Sequence, residues 1–202
     1  MMKVYQIKIP VNSNYAMLRS DPDKGGWDSD SIDVWWDDWI AKGNEIKDFI
    51  ACIGSIICLE NVATELCERF RGLSLFDINI IRTEKDISAK RKLKYLPDYD
   101  PIVKGIRTTI GLKLLPYSTV TFEEIGGIKY IHKVEGIAEL RGNLLIEREE
   151  GKGFFFSKSD LSGYDFFKPE NSNYLFCTEE VKKFCEEQNY SNVAFLDVGD
   201  AV

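Results

Sequence analysis

Residues 163–198 read GYDFFKPENSNYLFCTEEVKKFCEEQNYSNVAFLDV, and nearly every position has a structural task. Tyr174 to Cys177 is a short apolar run that reads as a strand. Thr178 offers a hydroxyl to the free amides of a helix start, and Glu179 and Glu180 place negative charge where the helix dipole favours it. Val181, Phe184 and Cys185 recur at helical spacing as one apolar face, with Lys182, Lys183, Glu186 and Glu187 turned to water. Asn189, Ser191 and Asn192 end the helix, and Val193 to Val198 reads as a second strand.

The same order of signals occurs earlier in the chain. Asp48, Phe49 and Ile50 match Asp165, Phe166 and Phe167; Cys58, Glu60 and Val62 match Cys177, Glu179 and Val181; Leu75 to Ile78 match Phe195 to Val198. The offset moves only from 117 to 119 to 120, the drift expected of two copies with small loop insertions. The expectation is therefore an α+β fold of mixed, mostly antiparallel sheets with a few short helices. It would contain a duplicated strand-helix-strand unit at 48–78 and 165–198, within one globular domain over 1–202.

Outward from these units, Val4 to Pro10 alternates as a half-buried strand, and residues 12–26 read as a polar, turn-rich segment. In the first unit, Asp48 to Ile53 and Ser55 to Cys58 read as strands, Glu60 to Arg71 as a helix closed by Gly72, and Leu73 to Ile81 as a strand. Ile102 to Leu115 is apolar without a clean period. Ile128 to Val134 and Asn143 to Arg148 read as strands, and the Gly151 to Gly153 turn leads into Phe154, Phe155 and Phe156, which read as core. The bases Lys90, Arg91, Lys92 and Lys94 read as part of a solvated hairpin.

All four tryptophans, Trp27, Trp35, Trp36 and Trp39, lie within thirteen positions, interleaved with Asp28, Asp30, Asp33, Asp37 and Asp38. Residues 21–48 carry nine acids against three bases, so this stretch holds −6 of a total formal charge of −7. Two readings stand side by side. The stretch is either a solvated acidic loop whose tryptophans form a satellite core, or a recognition surface in which aromatic anchors sit in a field of carboxylates. A pI near 4.9 argues against general binding to nucleic acid or an anionic membrane and favours a basic partner.

Five cysteines without a Cys-x-x-Cys pair argue against a disulfide scaffold, and no apolar block has signal-peptide or membrane-span length, so the expected location is the cytoplasm. With one histidine, His132, a two-histidine metal site is impossible within the chain; no dinucleotide or phosphate-loop pattern occurs, and no metal or cofactor is expected. Cys177, just before a helix start, is the remaining candidate nucleophile.

The segment around Cys177 to Val198 resembles the bacterial immunity proteins of polymorphic toxin systems, the type-eleven and related groups. The likeness rests on Asp165, Phe166 and Phe167, on Leu175 to Thr178, on the Val181 and Phe184 face, and on Asn192 to Phe195. Ser191 and Asn192 depart from it where a glycine-containing turn is expected. The resemblance implies a cytosolic, non-enzymatic protein that neutralises a cognate, basic toxin domain by steric inhibition. Trp27, Asp28, Asp30, Asp33, Trp35, Trp36, Asp37, Asp38 and Trp39 are then the candidate toxin-facing residues. A small-molecule or peptide sensor, and a cysteine-dependent enzyme, are the alternatives.

Overall fold

In the computed structural model, residues 1–20, 29–37, 40–52, 55–81, 96–125, 128–137, 148–170 and 172–202 are described. Their strands are β1 (Met2–Lys8), β2 (Met17–Ser20), β3 (Ser31–Trp36), β4 (Phe49–Cys52), β5 (Ser55–Leu59), β6 (Ser74–Ile80), β7 (Val103–Arg107), β8 (Gly111–Leu112), β9 (Val120–Ile125), β10 (Ile128–Val134), β11 (Phe154–Phe156), β12 (Phe166–Pro169), β13 (Phe176–Thr178) and β14 (Ala194–Ala201). The helices are α1 (Glu60–Arg69), α2 (Lys158–Leu161) and α3 (Glu179–Glu187). The fold is α+β, with short helices and mixed, mostly antiparallel sheets.

Six strands close into a barrel in the order β2-β3-β6-β7-β5-β4. Closure leaves no free strand edge, and strict alternation sends every second side chain inward. Leu18, Ile32, Val34, Trp36, Ile50, Ile57 and Phe76 fill the interior. Gly105 faces Phe76 across the β6-β7 ladder, and a Cβ on it would lie 2.0 Å from the Phe76 ring, so the missing side chain is what admits the phenylalanine. Three strands beyond those expected take part, one of them β7 in the Ile102 to Leu115 stretch that shows no clean period. β2 falls within the stretch read as polar turns, and β3 carries Trp35 and Trp36 through the barrel wall.

Another six strands form an open sheet, β11-β14-β1-β13-β12-β8. One face buries Val4, Phe154, Phe156, Phe167, Phe176 and Val198, with the rings of Phe154, Phe156 and Phe167 all meeting Phe176 edge-on. The Phe154 to Phe156 run is core, as expected. The first strand is more than half-buried: β1 lies between β13 and β14, and Val4, Tyr5 and Ile7 are buried on its two faces.

The two stretches matched in sequence contain the same order of elements, β4-β5-α1-β6 and β12-β13-α3-β14. Each begins with an antiparallel hairpin in equivalent register, Phe49 opposite Cys58 and Phe166 opposite Cys177. The neighbours also correspond. Along β2-β4-β5-β7-β6-β3, and along β8-β12-β13-β1-β14-β11, the pairings run parallel, antiparallel, antiparallel, antiparallel, parallel. In the second sheet β1, from the chain's start, holds the place that β7 holds in the first.

The seam between the two units is reciprocal. The Asp48 carboxylate accepts from the Ser191 amide and hydroxyl at 2.7 Å each, and the Asp165 carboxylate accepts from the Arg71 amide at 3.0 Å. Phe49 packs edge-on against Tyr190, and Phe166 against Phe70. Gly72 and Asn192 occupy matching left-handed positions, φ 93° and 61°. The departure at Asn192 thus keeps the backbone turn, because asparagine is among the residues that enter this region most readily. The Asn192 amide also donates to the Phe49 carbonyl at 2.9 Å. One core of Tyr5, Phe49, Cys58, Leu66, Phe166, Cys177 and Phe184 spans both units.

Local expectations were corrected at several points. Strand β13 starts at Phe176 rather than Tyr174, and α1 stops at Arg69 rather than Arg71. Thr178 is the residue before α3, but its buried hydroxyl caps no amide. Lys90 to Lys94, Gly126 and Gly127 lie outside the described residues, as does the expected strand from Asn143 as far as Glu147; its last residue, Arg148, forms an isolated bridge with Ile137.

Candidate interaction surface

β3 does not present its residues as one patch. Alternation turns Ile32, Val34 and Trp36 into the barrel and Ser31, Asp33 and Trp35 outward. Trp36 is 6% exposed and its indole N–H donates to Asp100 at 2.7 Å, which ties the barrel end to the loop before β7. Asp37 is 5% exposed, and its carboxylate accepts from the Ile40 amide at 3.0 Å. Both are structural, which removes them from a partner-facing surface. Asp30 lies at the opposite barrel end, 3.5 Å from the Arg107 guanidinium. Trp27, Asp28, Asp38 and Trp39 lie outside the described residues.

What remains of the candidate stretch is Asp33 and Trp35 on the wall and exposed Asp30 at the barrel end, and the barrel adds neighbours from distant sequence. Asp33 pairs with Asn79 in the parallel β3-β6 ladder and accepts its amide at 3.2 Å. Ser31 lies opposite Asp77, and Arg19 lies opposite Trp35. On β6 the outward phase continues from Asp77 and Asn79 to exposed Ile81, and on β7 from Lys104 back to Ile102, which is 68% exposed. The outer wall of β3, β6 and β7 therefore combines apolar side chains, Trp35, Ile81 and Ile102, with the carboxylates of Asp33 and Asp77.

Lys104 is a cation built into this wall, as is Arg19 beside Trp35. The Lys104 ammonium lies 2.8 Å from Asp77 and 3.6 Å from Glu60 at the start of α1. The hydrogen bond from Lys104 to Asp77 raises its pKa, with the Asp77 and Glu60 charges adding to it, so Lys104 stays protonated. The alternating phase of β6 was legible in the sequence; its lateral neighbours were not, because parallel pairing of β3 with β6 leaves no local signal.

The candidate chemistry takes a different form. Cys177 is fully buried, and burial pushes its thiol well above the usual value; burial likewise raises Cys58, Cys185 to about 12 and Cys52 to about 11. These are protonated thiols at neutral pH, and weak nucleophiles. His132 is exposed on β10 with Nδ1 3.2 Å from Glu123. Among the described residues no group of three or more His, Cys, Asp and Glu side chains could hold a metal ion, and no helix is long and apolar enough to cross a membrane. A shallow cleft between α3 and β14 is lined by Lys182, Glu186, Tyr190, Val193 and Phe195; Lys182 pairs with Glu186 at 3.5 Å, and the Tyr190 hydroxyl donates to Glu65.

No protein-family model matches the chain, and no curated protein matches it.

Proposed function

We propose that this chain is a binding protein of the immunity type, and that it neutralises a basic toxin domain by seating it against the outer wall of the barrel. The observation that carries the reading is the wall itself. Trp35, Ile81 and Ile102 stand outward on neighbouring strands with Asp33 and Asp77 among them, and none of the five is buried by the described chain. Half-buried Trp35 and exposed Ile81 and Ile102 supply the apolar centre of an interface, and carboxylates around them steer a cationic partner and fix its orientation. Inhibition is steric. Residues that hold the toxin's anionic substrate are engaged by the wall's carboxylates, and the barrel covers the substrate path.

The barrel suits this task because closure pairs every wall strand on both sides, which fixes the spacing of the outward residues before the partner arrives. In this reading the barrel unit carries recognition and the open-sheet unit supports it across the shared core. The test is co-expression with the product of the neighbouring upstream gene, followed by purification and a viability assay. A one-to-one complex that weakens with salt and protects the cell supports the reading; neither complex nor protection would end it.

A further inference from the structure

The two units treat equivalent faces differently. Asp77 and Asp197 hold matching places: each lies on the strand after the unit's helix, beside the sheet's inserted strand, and pairs with a lysine of that strand, Lys104 or Lys3. In the open-sheet unit this face is covered from within the chain. Arg148 is 7% exposed; its Nε lies 2.7 Å from Asp197 and its Nη2 2.9 Å from buried Asp200, while Nη1 donates to the Lys152 carbonyl at 2.8 Å. Burial lowers the Arg148 pKa, but the hydrogen bonds and charges of Asp197 and Asp200 outweigh it and hold the guanidinium charged. In the barrel unit none of the described residues covers the same face, and the Asp77 side chain is 67% exposed.

We infer that the barrel face takes an arginine of the partner in the place that Arg148 takes in the other unit, with the guanidinium between Asp33 and Asp77 and its aliphatic stem along Trp35 and Ile81. This rests on the reading of the wall as the binding face and names what the wall recognises. An arginine fits better than a lysine on three grounds. Its fork donates to two carboxylates at once, and its delocalised charge gives up water more easily than an ammonium. Lys104 already supplies a point charge at Asp77, and an arginine adds a donor that reaches both acids. The carboxylates lie on neighbouring strands here rather than along one strand, so the arriving side chain crosses the ladder instead of following it.

The test uses the full chain, ¹⁵N-labelled, titrated with an acetylated, amidated Gly-Arg-Gly-Arg-Gly peptide and with its lysine counterpart. The expected result is shift changes concentrated at Asp33, Trp35, Asp77, Asn79 and Lys104, with the lysine peptide binding more weakly. In D33N/D77N the arginine peptide should bind at least about tenfold more weakly, the loss expected of one charge-assisted hydrogen bond. E180Q/E187Q, which removes the same charge from the exposed face of α3, should leave binding unchanged. Equal loss in both variants, or shifts spread over every acidic surface, would overturn the inference. The neighbouring gene product separates the two proposals. If it binds and D33N/D77N leaves its affinity intact, the arginine site is wrong and the immunity reading stands. If it does not bind while the peptide behaves as expected, the reverse holds.

Discussion

The barrel and the open sheet share their order of neighbours, yet one closes and the other does not. In the barrel the flanking strands β2 and β3 are four and six residues long and pair with each other, Leu18 opposite Trp36. Their counterparts β8 and β11 are two and three residues long, with the β9-β10 hairpin between them in sequence. The outer edge of β11 is also occupied: the Phe155 carbonyl accepts from the Leu115 amide and the Ser118 hydroxyl, and the Ser118 hydroxyl accepts from the Phe155 amide. An edge whose groups are satisfied locally cannot recruit another strand. Closure is thus decided by the flanking strands, not by the matched hairpin, helix and strand.

The comparison can be broken most forcefully in the cores. Phe176→Ala removes the ring against which Phe154, Phe156 and Phe167 pack, and should cost about 3–5 kcal/mol in urea unfolding. Phe76→Ala should cost a similar amount in the barrel. Because one core spans both units, either variant should lower a single cooperative transition. Two separated transitions would show that the units are coupled more weakly than their shared core implies.

A sharper test exchanges the turn residues. A Cβ at Gly72 would lie 2.1 Å from the Phe166 carbonyl oxygen, so Gly72→Asn should destabilise by about 1–3 kcal/mol, although asparagine serves at the matching turn. Asn192→Gly exchanges the amide bond to Phe49 for relief of the left-handed backbone, and should stay within about 1 kcal/mol of the parent. Equal effects in thermal unfolding would mean that the turns are interchangeable.

Much of this was legible in sequence, and the matched units explain why. Amphipathic spacing marked α1 and α3 but not the four-residue α2, and apolar runs marked the strands at Asp48 to Ile53, Ser55 to Cys58 and Tyr174 to Cys177. The barrel was hidden because β2 is a four-residue strand inside a polar segment, and because Trp35 and Trp36 read as neighbours although they face opposite sides of a wall. Alternation would have divided the tryptophan and aspartate stretch correctly; clustering in sequence suggested a single surface. Ile81, Asp77 and Ile102 reach the wall only through long-range pairing, for which no local pattern exists.

The smallest expected effect concerns alkaline pH. Burial raises Cys185 from 9.0 to about 12 and, with help from Glu179 and Asp197, Tyr5 from 10.0 to about 12. A raised acid keeps its proton in the folded state, so this contribution is complete below the unfolded value and is lost as pH rises toward about 12. Tm should be flat in this respect below about pH 9 and fall above it, more gently in Cys185→Ala. Labelling of Cys58, Cys177 and Cys185 by a thiol reagent should wait for unfolding in both units; rapid labelling of Cys177 alone at neutral pH would revive the nucleophile reading.

The most direct measurement is calorimetric titration of the neighbouring gene's product into the parent chain and into W35A/I102A, with thermal unfolding run in parallel. If the barrel wall is the recognition surface, the variant stays folded and loses at least about 2 kcal/mol of binding free energy, the cost of removing central anchors. Unchanged affinity in a folded W35A/I102A protein would contradict the account and move the binding face elsewhere on the molecule.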